Sequence, residues 1–178
     1  MWKDIFTKDT LIELITKFIF IEKKESKDEV TGKKKVSERV IFPRYHQLDA
    51  LRKIIADLKI NHTDQNYLIE HSAGSGKTNT IAWLAHRLAS LHDNDDHQIF
   101  DNIIIMTDRV VVDRQLQKAI MGLEHRSGLI QVMNDKCTSA DLKYALESNT
   151  KIIVTTIQKF PYVVDLIKDS NNKNVDLK

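Results

Sequence analysis

The chain has 178 residues, 42% of them hydrophobic and 29% charged, with 27 Lys and Arg against 25 Asp and Glu and a net charge of +2. Such a composition excludes a disordered or fibrous chain and leaves room for one domain with a substantial core. Charge this balanced gives no bulk argument for a nucleic-acid partner, so any such contact has to rest on local residues, and the single Cys137 excludes an internal disulfide and fits a reducing compartment, the cytoplasm by default.

The N-terminal region carries neither a membrane span nor a secretory signal. A span needs roughly 18 to 20 uninterrupted apolar residues, and the best stretch, Leu11 to Ile21, is broken by Glu13 and Lys17. Asp4 and Asp9 precede it and no small-residue cleavage site follows. A soluble protein with no membrane partner is expected. From Asp9 to Phe20 the residues Leu11, Leu14, Ile15, Phe18 and Ile19 recur at helical spacing, which predicts an amphipathic helix capped by Asp9 or Thr10. Its polar face is poor in Lys and Arg, so packing against protein is expected rather than a membrane surface. Glu22 to Glu38 mixes both charges with Thr31-Gly32 and Lys33-Lys34-Lys35 and has almost nothing to bury. It reads as a linker or exposed hairpin loop.

After Val40-Ile41-Phe42-Pro43 comes Arg44-Tyr45-His46-Gln47, then a predicted helix with Leu48, Leu51, Ile54 or Ile55, and Leu58 on one face. Tyr67-Leu68-Ile69-Glu70 reads as a strand that runs into His71-Ser72-Ala73-Gly74-Ser75-Gly76-Lys77-Thr78. This is the pattern of a phosphate-binding loop. Gly74 and Gly76 let successive backbone N–H groups, Ser75 between them, curl around phosphate oxygens; Lys77 offers a charge to the terminal phosphates, and the Thr78 hydroxyl can ligate Mg²⁺. A helix starting here points its positive end at the same anion. The strict pattern G-x-x-x-x-G-K-S/T wants Gly where His71 stands, but the residues that must approach the phosphates are intact. The alternative is a plain Gly-Ser surface turn, which the strand before and the helix after argue against.

That helix runs to about Leu91, with Ile81, Leu84, Ala85 and Leu88 on one face and Trp83 as a packing residue. His92-Asp93-Asn94-Asp95-Asp96-His97 lacks the Gly and distal Glu of a calcium loop and any zinc-ligand spacing, so a polar connection is expected. Ile103 to Met106 predicts a buried strand, Asp113 to Leu123 a helix, Leu129 to Met133 a third strand, Ser139 to Glu147 a helix capped by Ser139, and Ile152 to Val154 a further strand. Strands alternating with helices predict an α/β fold with a mostly parallel sheet and the phosphate loop at the carboxyl end of its strand. The expected division is residues 1–43 as helix and charged linker and 44–178 as the α/β domain.

Three further stretches narrow the reading. Arg44 and Gln47 stand where superfamily-two helicases and translocases place an adenine-reading glutamine, whose amide can donate and accept at once. Thr107-Asp108-Arg109 matches their motif Ia, and Thr155-Thr156 with Gln158-Lys159-Phe160 resembles the Thr-rich motif that holds a nucleic-acid backbone. Together with Ile81 to Leu88 and Asp113-Arg114-Gln115-Leu116, these residues resemble the restriction (R) subunit of type I restriction-modification enzymes over about Phe6 to Pro161, and a His at the first loop position is usual in that family.

The resemblance implies a RecA-like, P-loop, three-layer motor domain that uses ATP and Mg²⁺ to pull double-stranded DNA, a nuclease in the same subunit, and modification and specificity subunits as partners. It implies nucleotide binding by Arg44, Gln47, Gly74, Ser75, Gly76, Lys77 and Thr78, catalysis by Lys77 and Thr78, and DNA contact by Thr107, Arg109, Thr155, Thr156 and Lys159. No PD-(D/E)xK nuclease pattern precedes Asp9, and no Asp-Glu strand follows Pro161. Val163-Val164-Asp165 follows Pro161 too closely for that strand and reads as helical. The chain is therefore expected to be an excised piece with weak ATP binding and negligible turnover. Rival readings are a small kinase, which would need an arginine-bearing lid, a non-catalytic ATP-binding module, and another superfamily-two motor.

Overall fold

The computed structural model describes residues 6–27, 34–61, 65–108, 110–123, 129–133, 137–148 and 150–158. The chain divides into two compact units, Met1–Leu48 and Asp49–Lys178.

The first unit opens with α1 (Lys8–Lys17), whose N-terminus is capped by the Thr7 side chain accepting from the Thr10 N–H. The cap thus lies two or three residues ahead of the expected Asp9 or Thr10; Asp9 instead sits in the first turn, where its charge suits the helix dipole. The helix buries Thr10 and Leu14 and leaves Leu11, Ile12 and Ile15 exposed, so the apolar stripe is only partly covered. Next come β1 (Phe20–Lys27) and β2 (Lys34–Ile41), paired antiparallel from Phe20 opposite Ile41 to Lys27 opposite Lys34. The expected charged loop is mostly this hairpin ladder. Its register sets Glu22 opposite Arg39 and Lys23 opposite Glu38, with Lys27 opposite Lys34 at the far end, so a stretch whose mixed charge argues for a loop in a linear reading is held as a backbone ladder. At one end of the ladder the apolar Phe20 and Ile41 are buried.

Helix α2 (Tyr45–Asn61) buries Leu48, Leu51, Ile54, Ile55 and Leu58, the predicted stripe. The remaining elements are α3 (Lys77–Ala89), β3 (Ile103–Thr107), α4 (Val110–Gly122), β4 (Ile130–Val132), α5 (Ser139–Glu147) and β5 (Ile152–Thr156). β5 lies between β3 and β4 and is parallel to both, with Ile103 opposite Ile152 and Ile130 also opposite Ile152. The unit is α/β, and its parallel three-stranded sheet is compatible with a RecA-like ATPase domain. Every residue of β5 is buried, as expected of a central strand covered on both faces. Successive side chains alternate in direction, and Ile153 packs with Met133, Leu142, Ala145 and Leu146, with Ile104 alongside. α3 and α4 pack on each other and against β3 and β5.

Three details differ from the sequence reading. Tyr67 to Glu70 forms no strand: it makes no ladder with another strand, and Leu68 is 93% exposed. Helix α3 buries Thr80, Ala82, Trp83 and Ala85, while Ile81 is exposed, since the Trp83 indole is the bulk that fills the interface. Helix α5 is capped by Thr138 rather than Ser139, through a reciprocal pair in which Thr138 accepts from the Asp141 N–H and Asp141 accepts from the Thr138 N–H. Val163-Val164-Asp165 lies outside the described residues. No helix among the described residues is long and apolar enough to cross a membrane.

Candidate functional site

The glycine turn is built as its sequence requires. Gly74 and Gly76 adopt φ of +74° and +90°, a left-handed conformation that costs an L-residue about 1–2 kcal/mol. Gly76 is the N-cap of α3 and offers no side chain, and the N–H groups of Lys77 and Thr78 at the head of the helix have no partner among the described residues. Two orphan donors and the positive end of the helix dipole are therefore directed at one spot. Ser75 is buried and its N–H donates to the Ser72 carbonyl at 3.3 Å, which closes the turn.

Lys77 reaches back across this turn. Its Nζ donates to the His71 carbonyl and to the Ser72 carbonyl, the latter at 2.8 Å, while the side chain stays exposed. An ammonium has three donors, so one remains for an anion in the turn. This explains the tolerance for His71. The first position is used through its carbonyl oxygen, and His71 has a negative φ, so no glycine is needed there. The arrangement suits a polyanion: backbone donors, a helix dipole and one ammonium group stand together where no acidic side chain lies in the turn.

The lead-in to the turn is held by a contact that the sequence reading missed. The Tyr67 hydroxyl donates to Asp57 near the end of α2, and the Asn61 amide donates to the other oxygen of the same carboxylate at 2.7 Å. The hydrogen bond to Asp57, with lesser effects of desolvation and of the carboxylate charge, pushes the Tyr67 phenol up to about 12. A polar aromatic at the head of an otherwise apolar run was the available signal.

Gln47 belongs to the first unit and the glycine turn to the second. Gln47 is 3% exposed, and its Oε1 accepts from the Arg44 N–H at 2.8 Å. The amide closes the first turn of α2, a capping role that a linear reading cannot distinguish from ligand recognition. A carbonyl oxygen has a second lone pair, so the capping bond leaves acceptor capacity. Arg44 is exposed.

At the carboxyl ends of the strands, Ile157 donates its N–H to the Thr107 carbonyl at 2.9 Å and Gln158 Nε2 reaches the Asp108 carbonyl at 3.4 Å. The exits from β3 and β5 are thus joined. Thr155 has no exposed surface, and Thr107 and Thr156 are each 8% exposed. The hydroxyls of Thr107 and Thr155 find no hydrogen-bond partner among the described residues, an arrangement that costs about 1–3 kcal/mol per group unless something satisfies it. Arg109 and Lys159 lie outside the described residues.

The His92 to His97 connection brings Asp93, Asp95 and His97 together. Asp93 Oδ1 accepts the N–H groups of Asp95 and His97 at 2.9 and 2.8 Å, and its Oδ2 lies 3.6 Å from His97 Nδ1. The Asp93 carboxylate shapes the loop through these bonds.

The sequence profile of the SWI2/SNF2 ATPase family matches residues 46–176. Two proteins of Methanocaldococcus jannaschii are similar to this chain. One, provisionally named the type I restriction enzyme MjaVIIP endonuclease subunit, is 29% identical over 173 residues, covering 89% of this chain and 15% of its own length. The other, provisionally named the MjaVIIIP endonuclease subunit, is 30% identical over 126 residues, covering 68% of this chain and 11% of its own length. The chain therefore spans less than a sixth of the curated relatives it matches. No solved structure matches it.

Proposed function

This chain belongs to the SWI2/SNF2 ATPase family, and from that premise we propose that it is the ATP-binding motor part of a type I restriction endonuclease subunit, coupling ATP hydrolysis to movement along double-stranded DNA before cleavage of unmodified DNA. The observation that carries the proposal is the head of α3, where the orphan N–H groups of Lys77 and Thr78 and the Lys77 ammonium converge on the glycine turn. The names of the similar endonuclease subunits support the restriction assignment. In this reading the domain is the RecA-like, P-loop, three-layer fold of such motors, and the partners are DNA and the modification and specificity subunits.

In this reading the residues divide the work as follows. Backbone N–H groups from Gly74 to Thr78 bind the phosphate oxygens, with Ser75 bracing the turn. Lys77 turns its third donor to the β- and γ-phosphates, where positive charge in place before the reaction lowers the barrier to phosphoryl transfer. Mg²⁺, where bound, would be held by the Thr78 hydroxyl together with the nucleotide and would supply positive charge against that developing on the phosphates. Gln47 reads adenine with its amide while its carbonyl continues to cap α2, and Arg44 lies beside it in sequence. Arg109 and Lys159 meet the DNA phosphates. Thr107, Thr155 and Thr156, buried as they are, act by shaping the strand ends beside that contact.

The experiment is ATP hydrolysis by the full-length subunit with its partners, with and without double-stranded DNA. DNA should stimulate hydrolysis, and Lys77→Ala should abolish it. The 178-residue chain alone should bind ATP weakly and turn over negligibly. Hydrolysis by the full-length subunit that ignores DNA would favour a non-motor ATP-binding module.

A further inference from the structure

The segment that delivers the chain into the glycine turn has no ladder to hold it, and its Leu68 is 93% exposed. A turn that must present fixed donors to an anion needs its entry fixed as well, or the ordering cost is charged to ligand affinity. The side-chain anchor on this segment is the Tyr67 hydroxyl, held by Asp57, whose other oxygen is engaged by Asn61 one helical turn away. Four and five residues after Tyr67 the chain reaches His71 and Ser72, whose carbonyls receive Lys77.

Resting on the nucleotide reading above, we infer that Asp57 and Tyr67 are positioning residues for the phosphate tail: they fix the entry of the turn, and through it the carbonyls that hold the Lys77 ammonium in place. The chain of contacts runs from the end of α2 to the head of α3 without touching the ligand. The phenol stays protonated across the physiological range, because the Asp57 hydrogen bond pushes it up to about 12. The tether is therefore insensitive to ordinary pH change, as a fixed strut should be. It acts on the triphosphate end alone, since nothing in it reaches a base.

The test titrates the 178-residue chain and its Tyr67→Phe, Asp57→Ala and double variants with Mg-ATP and, separately, with Mg-tripolyphosphate. Each single variant should bind both ligands about threefold more weakly, by the same factor for the two ligands, and the double variant should lose no more than the worse single one. Tyr67→Phe should unfold cooperatively with a thermal midpoint within about 2 °C of the parent's, since an exposed hydrogen bond contributes little. Single variants that bind both ligands as tightly as the parent, or losses that multiply in the double variant, would overturn the inference. A parent that binds neither ligand would instead overturn the nucleotide reading, and the inference with it.

Discussion

The ammonium of Lys77 lies 2.8 Å from the carbonyl oxygen of Ser72, five residues behind it, so the cation of the turn is held by the turn's own backbone. A lysine tied in this way is held over the turn by two backbone carbonyls, those of His71 and Ser72. The cost of ordering a long, flexible side chain is thereby met before a ligand arrives.

Removing that side chain should therefore damage binding without damaging the fold. Lys77→Ala is expected to weaken Mg-ATP binding about tenfold or more, since charge-assisted contacts to phosphate are the strong ones. The far-ultraviolet circular dichroism and thermal midpoint should stay at the parent values, because Lys77 is exposed.

Backbone conformation separates the glycines from His71. Gly76→Ala places a Cβ at φ +90° and should cost about 1–2 kcal/mol of stability, read by denaturant unfolding, with a loss of ATP affinity. Gly74→Ala meets no atom within 4 Å of its new Cβ, so any loss there reports φ alone. His71→Gly, by contrast, should keep ATP affinity within about threefold, a factor worth less than a typical hydrogen bond, because the loop uses the carbonyl at that position. A large gain in affinity on restoring glycine would show that the His71 side chain matters.

The Tyr67 phenol should be the late-titrating tyrosine. Its proton is bound more tightly in the folded chain, about 12 against 10.0 for an unperturbed phenol. Stability from this bond is thus fully present below pH 10 and lost as pH rises toward 12. Ultraviolet absorbance during alkaline titration of the folded chain and of Tyr67→Phe checks this: the slowest phenolate step should vanish in the variant.

The Thr138 and Asp141 pair gives the opposite sign. Hydrogen bonds from the Thr138 N–H and hydroxyl hold the Asp141 carboxyl below its ordinary 3.8. The carboxylate therefore contributes stability above that pH, and the contribution fades as pH falls through the lowered value. Thr138→Ala should lower the thermal midpoint by about 2–4 °C at neutral pH, and the difference from the parent should shrink as the pH is taken below 3.8 and the carboxylate is protonated. A constant gap across that range would contradict the capping account.

The elements with a strong period were legible in sequence. The α2 stripe from Leu48 to Leu58, the buried run of β5 and the glycine turn with Lys77 stand where expected, because burial and the left-handed backbone each demand particular residue types, whereas β3 forms where expected but leaves Met106 exposed. Tyr67 to Glu70 was not legible as what it is: an apolar run predicts burial in a sheet, but a strand also needs a neighbour, which pattern alone does not supply. Likewise the β1 and β2 hairpin hid behind its charges, because a backbone ladder depends on register rather than on side-chain sign. Gln47 shows the same limit in the site. Whether an amide caps a helix or reads a base depends on the Arg44 N–H beside it, a relationship of backbone direction that no residue type announces.

The central claim is that the turn from His71 to Thr78 receives a triphosphate. Isothermal titration of the 178-residue chain with Mg-ATP, with tripolyphosphate as competitor, tests it most directly. The account predicts saturable ATP binding that tripolyphosphate displaces and that Lys77→Ala weakens at least about tenfold. Binding unaffected by tripolyphosphate and by Lys77→Ala, or no binding at all, would contradict it.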